Sequence, residues 1–134
     1  MKKITYGLKY AGKKQRFARS VVVGDIVFLS GSSGRTIETG EVPSDDVKDQ
    51  VRVALDKIRG SLEEAGSNMN NICKVTIFLK NMADYEVVKQ AEWDYWSEHA
   101  QALTEDPPAS TVVQISSLSK PNMLVEIDVI AVKD

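Results

Sequence analysis

The residues with most chemical potential lie near the end of the chain. Glu126 and Asp128 are two positions apart in "MLVEIDVIAV" (123–132). A strand places such a pair on one face about 6–7 Å apart, between Leu124 and Ile130. Two carboxylates that close in apolar surroundings raise one pKa, which makes a general acid or base available. The loop "SGSSGRT" (30–36) is a second candidate, because its glycines and hydroxyls can turn backbone N–H groups toward an anion. It lacks the Gly-Lys-Ser/Thr ending of a P-loop, and Arg35 is its one cation. A third candidate is "PPAST" (107–111), where a loop ending in Pro107-Pro108 opens into a strand and aims Ser110, a neutral hydroxyl.

Other reactive side chains stand alone. His99 is the single histidine and Cys73 the single cysteine, so neither a metal cluster nor an internal disulfide is expected. His99 is placed to favour the C-terminal dipole of a helix. Cys73 reads as an inert residue on the apolar face of a strand. Trp93, Tyr95 and Trp96 read as packing or interface residues.

The elements that must position these groups follow from periodicity. "SVVVGDIVFLSG" (20–31) is a pair of strands turning at Gly24-Asp25. Residues 45–65 are helical, with Val47, Val51, Ala54, Leu55, Ile58, Leu62 and Ala65 on one stripe. Ser44 serves as cap and Gly66 as stop. "ICKVTIFLK" (72–80) alternates, with Cys73, Val75, Ile77 and Leu79 on one face. Residues 82–100 are helical again after an Asn81 cap, with Tyr85, Val88, Glu92, Trp96 and His99 aligned. Strands at 111–115 and 123–132 complete the order ββαβαββ. That order gives an α/β fold, two helices on one face of a mixed, largely antiparallel sheet. Val125, Ile127 and Val129 serve the helix side, which leaves Leu124, Ile130 and Val132 on the other. Apolar residues on the uncovered face imply further copies of the chain.

The chain has 134 residues, 43% hydrophobic and 27% charged, the proportions of one globular domain over 1–134. Its formal charge of −2, from 17 basic and 19 acidic residues, gives no footprint for nucleic acid. Lys2, Lys3, Lys9, Lys13, Lys14, Arg16 and Arg19 crowd the N-terminus and read as a solvated edge. No apolar run is long enough for a signal peptide or a membrane span, so no membrane partner is expected and the cytoplasm is the expected location.

Several stretches together resemble the Rid family (reactive intermediate deaminase, YjgF/RidA, historically endoribonuclease L-PSP). They are "VGDIVFLSGSSGRTIETGEV", "VRVALDKIRGSLEEAGSNMNNICKVTIFLKNMADY", "PPAST" and "LSKPNMLVEIDVIAV", spread over about residues 16–132 in the family's order. The resemblance implies a chorismate-mutase-like fold and a homotrimer that holds a small-molecule ligand in clefts between subunits. It also implies hydrolysis of enamines and imines without cofactor or metal. An arginine would clamp the substrate carboxylate, and a carboxylate on the last strand would help water attack. Carried onto this chain, the cleft would be lined by Phe17, Ser30, Gly31, Ser32, Arg35, Ala109, Ser110 and Thr111, with Asp128 as acid/base. Four positions depart from the family. Asp128 is one methylene shorter than the usual glutamate, Phe17 lacks a tyrosine hydroxyl, and Ala100 replaces a polar residue. Ser110 stands where the clamping arginine would be. Losing a bidentate charged pair costs about 2–5 kcal/mol, and one neutral hydroxyl does not restore it. Two readings therefore stand. One is a hydrolase acting on an imine, enamine or related metabolite without the usual 2-imino acid specificity. The other is a non-catalytic trimer that binds a metabolite or protein. Either way, sedimentation at micromolar concentration should give the mass of an oligomer, a trimer by the resemblance; a monomer contradicts the two-faced sheet.

Overall fold

The computed structural model describes residues 1–133. Strands β1 (Lys3–Tyr6), β4 (Ser20–Val23) and β5 (Ile26–Leu29) are antiparallel neighbours, and β2 (Lys9–Tyr10) and β3 (Lys13–Lys14) form a separate ribbon. Val23 faces Ile26 across Gly24-Asp25, and Gly24 takes φ +59, as a two-residue hairpin turn requires. β6 (Ser32–Ser33) is a two-residue strand within the expected loop. The ribbon and β6 are too short to carry a periodic signal.

Helix α1 (Val47–Glu64) buries every residue of its expected stripe. Its cap is Asp46 rather than Ser44, because the Asp46 carboxylate accepts from the Lys48 N–H at 2.8 Å. Ser44 supports that cap by accepting from the Asp46 N–H at 3.1 Å. Gly66 ends the helix at φ +86.

In β7 (Ile72–Leu79) the pairing register shifts between Ile72 and Lys74. This bulge turns Ile72 inward and leaves Cys73 exposed, which corrects its expected place on the apolar face. Asn81 caps a 3₁₀ turn, Met82–Asp84, and α2 (Tyr85–His99) follows. Val88, Ala91, Glu92, Tyr95 and Trp96 are buried, whereas Tyr85 and Trp93 are exposed. After α3 (Ala102–Glu105), strand β8 (Ala109–Gln114) runs parallel to β7.

The main sheet runs β1-β4-β5-β9-β7-β8, where β9 is Val125–Val132 and β6 also pairs with β9. Val125, Ile127, Val129 and Ala131 join Val75, Ile77, Leu79 and both helices in one core. Leu124 precedes the strand and packs partly against that core instead of facing out. Ile26, Phe28, Val113, Ile130 and Val132 are exposed on the sheet, an apolar outer face with no helix over it. Among the described residues no helix is long and apolar enough to cross a membrane.

One buried amide joins α1 to the start of β9. Gln50 Nε2 donates to the Ser44 and Asn122 carbonyls at 2.8 and 2.9 Å, and its Oε1 accepts from the Leu124 N–H at 2.9 Å. Gln50→Leu strands all three backbone groups, so urea denaturation should show a loss of about 2–4 kcal/mol. A loss within experimental error would mean that these groups find other partners.

Candidate functional site

Strand alternation puts Glu126, Asp128 and Ile130 on the outer face of β9. Thr76 of β7 lies opposite Asp128, and its hydroxyl hydrogen-bonds the carboxylate. Lys74 shares that face, and its Nζ donates to Thr111 Oγ1 at 2.5 Å. Phe28, Leu29, Val129 and Ile130 complete the lining of a cleft of about 270 Å³. Burial pushes the Asp128 carboxyl up, while the Thr76 hydrogen bond and the Lys74 charge pull it back. A carboxyl so balanced beside an ammonium group can take a proton and return it.

A second cleft of about 200 Å³ lies around Glu126 and contains Phe17, Gly31 and Arg35, together with Tyr10, Arg19 and Lys57. A side-chain carbon at Gly31 would lie 2.8 Å from Glu126 Cδ, so only glycine lets the acid rest against this loop. Arg19 Nη1 donates to the Gly31 carbonyl at 3.3 Å. The Tyr10 hydroxyl donates to the Arg35 carbonyl and accepts from Lys57 Nζ, each at 3.1 Å. Arg35 Nε donates to the Gly40 carbonyl at 2.9 Å, and its guanidinium lies 5.0 Å from the Tyr10 ring centre. Burial raises the Glu126 pKa first and the charge of Asp128 raises it further, against Lys57, Arg19 and Arg35.

The nine expected site residues divide into separate groups. Asp128 and Thr111 share the outer face, while Phe17, Gly31 and Arg35 share the second cleft. Ser30 is held by its hydroxyl, which donates to the Ala18 carbonyl at 2.7 Å. Ser32 is fully buried and donates to the Ala54 carbonyl of α1 at 2.9 Å, so it lines neither cleft. Ala109 and Ser110 are exposed on the edge strand. Ser110 lies opposite Val75, which points to the helices, and Lys89 of α2 donates to its hydroxyl at 3.4 Å. Within one chain the period of two thus sets Ser110 and Asp128 on opposite faces.

Arg19 and Lys57 escaped the sequence reading. Arg19 is buried rather than part of a solvated basic edge. The available signal was its place two positions before the apolar run Val21-Val22-Val23. Lys57 follows Ala54 by three positions, on the flank of the α1 stripe, and is buried. His99 closes α2 as expected, with its ring 4.4 Å from that of Tyr95 and its Nδ1 against Arg59. Among the described residues no group of three His, Cys, Asp or Glu is placed to hold a metal.

Burial, and then the charges of Arg19 and Arg35, lower the Lys57 pKa to about 7. Between that value and the ordinary lysine value of about 10.4, the unfolded chain binds a proton that the folded chain does not. Stability should rise with pH across this window. Lys57→Met should flatten the rise and gain most stability at neutral pH, as read by urea denaturation at several pH values. An unchanged slope contradicts a desolvated Lys57.

The endoribonuclease L-PSP family model matches residues 11–133. A RutC family protein of Pyrococcus horikoshii is 33% identical over 118 residues, covering 88% of this chain and 87% of that protein. The 2-iminobutanoate/2-iminopropanoate deaminase of Escherichia coli strain K12 is 32% identical over 117 residues, 87% of each chain. The crystal structure of E. coli TdcF with bound serine superposes with a TM-score of 0.85 at 31% identity, covering 99% of this chain and all of that one.

Proposed function

The chain belongs to the endoribonuclease L-PSP family, the Rid or YjgF group, and on that premise we propose that it hydrolyses a small imine, enamine or related metabolite. Water adds to the imine carbon as Asp128 takes one of its protons and passes it to the imine nitrogen, which gives a carbinolamine. The carbinolamine hydroxyl then yields its proton, again through Asp128, to the nitrogen as the carbon–nitrogen bond breaks, leaving a carbonyl compound and ammonia. The observation that carries this reading is Asp128 itself, a carboxyl that shares a partly apolar cleft with Thr76 opposite it and the Lys74 ammonium, and that burial pushes up. A scaffold alone has no physical reason to place an acid there.

Usual 2-imino acid specificity is not part of the proposal. Position 110 holds a neutral hydroxyl that faces α2 and Lys89, so no guanidinium fork meets a substrate carboxylate from there. The exposed apolar outer face supports association with further copies of the chain, and the family resemblance makes that assembly a homotrimer whose copies close the clefts. The same engagement of Ser110 by Lys89 favours the second reading, a metabolite-binding trimer without turnover. The −2 charge gives RNA little to bind.

Ammonia release from a panel of enzymatically generated imines separates the two. Asp128→Asn should lower kcat/KM by about 10²–10⁴. Lys74→Met removes the charge that holds the Asp128 carboxyl down, so the acidic limb of the pH–rate profile should move to higher pH. Absence of turnover across the panel removes the hydrolase reading.

A further inference from the structure

The cleft beside Glu126 holds more positive charge than its neighbours neutralise. We propose that Arg19, Arg35 and Lys57 form an anion-binding site that takes the carboxylate or phosphate group of a small metabolite. Arg19 is 8% exposed, and its Nη1 has the Gly31 carbonyl as partner. Its Nε and Nη2 are buried without any hydrogen-bond partner. These two nitrogens form the side-on edge of the guanidinium, which pairs with a carboxylate or phosphate through two parallel N–H···O bonds. A buried charged donor left unpaired is costly, so this edge is incomplete without an acceptor.

The surrounding charges point the same way. Arg35 and Lys57 flank the Tyr10 ring, with their charged heads 5.0 and 5.4 Å from its centre. Glu126 is the one carboxylate in the lining, and its ionised form is itself disfavoured by burial and by Asp128. Glu38, Asp56 and Glu64, with Lys9, line a neighbouring hollow that Arg19 and Lys57 also border. Among the described residues none of those acids makes an ion pair with Arg19, Arg35 or Lys57. Lys57 gives the site a titratable member: burial first, and then the two arginines, hold it back from its charged form, and an arriving anion offsets the arginines. Its proton affinity therefore rises on binding.

The site shares Phe17, Gly31 and Arg35 with the ligand cleft of the proposed hydrolase and rests on that reading for its ligand, but its anchors are not the groups assigned to proton transfer. Calorimetric titration of the wild-type chain with sodium phosphate and with sodium acetate, at constant ionic strength near pH 8, tests it. Saturable binding of either anion is expected. Proton uptake on binding, read from buffers of different ionisation enthalpy, should accompany it. Preference for phosphate or acetate distinguishes a phosphate-bearing from a carboxylate-bearing ligand. Lys57→Met and Arg19→Gln should each weaken binding by roughly ten-fold or more. Should Arg19→Gln fail to fold, Lys57→Met and the Lys57 resonances of the wild-type chain still decide the matter. Those resonances should show the Lys57 pKa moving upward with added anion. Absence of saturable binding, binding unchanged in the folded variants, or a Lys57 pKa that stays in place would each overturn the site. Binding is read without turnover, so anion affinity and ammonia release succeed or fail separately.

Discussion

The period-two alternation of β9 is the constraint on which the rest depends. This strand is hydrogen-bonded on both sides, to β5 and β6 along one edge and to β7 along the other. Its inward residues Val125, Ile127, Val129 and Ala131 are fully packed against the helices. A slip of one residue would drive Glu126 and Asp128 into that core and expose four apolar side chains, so the register has no near competitor. Gln50 anchors the strand's approach by binding the Leu124 N–H and the Asn122 carbonyl. Packing on one face thereby holds two carboxylates at set positions on the other.

Two electrostatic environments grow from that outer face. Around Asp128, one ammonium and one hydroxyl partly offset desolvation, and the carboxyl stays exchangeable. Around Glu126, three cations gather about an aromatic ring, and two N–H groups of Arg19 remain unpaired. Buried unpaired charge works against folding, so these donors cost stability unless an acceptor reaches them. The apolar rim formed by Phe28 and Ile130 is a second exposed feature of this face, and the proposed association with further copies rests on it.

Much of this was legible because long periodic segments carry their own signal. The α1 stripe and the inward residues of β7 and β9 follow directly from spacing, as does the Gly24-Asp25 turn. Features set by tertiary contact were not legible. Cys73 turned outward because a bulge shifted the register, and no local residue announces that shift. Ser32 looked like part of an anion-binding loop, but the approach of α1 claimed its hydroxyl for the Ala54 carbonyl. Arg19 was hidden in a run of lysines that really is solvated, and only the folded chain shows its side chain packed inward. The direction of Ser110 depended on the pairing of β8 with β7, which sets it opposite Val75, and the residues of β8 alone do not announce that register.

The central claim is that β9 presents Asp128 in a setting that favours its protonated form. Carbon-13 NMR titration of the side-chain carboxyls, with Asp128 assigned by its asparagine variant, measures this in the wild-type chain. The account predicts a midpoint for Asp128 clearly above the ordinary aspartate value of about 3.9. A midpoint at or below that value would mean a solvated or fully ion-paired carboxylate, and would contradict the account.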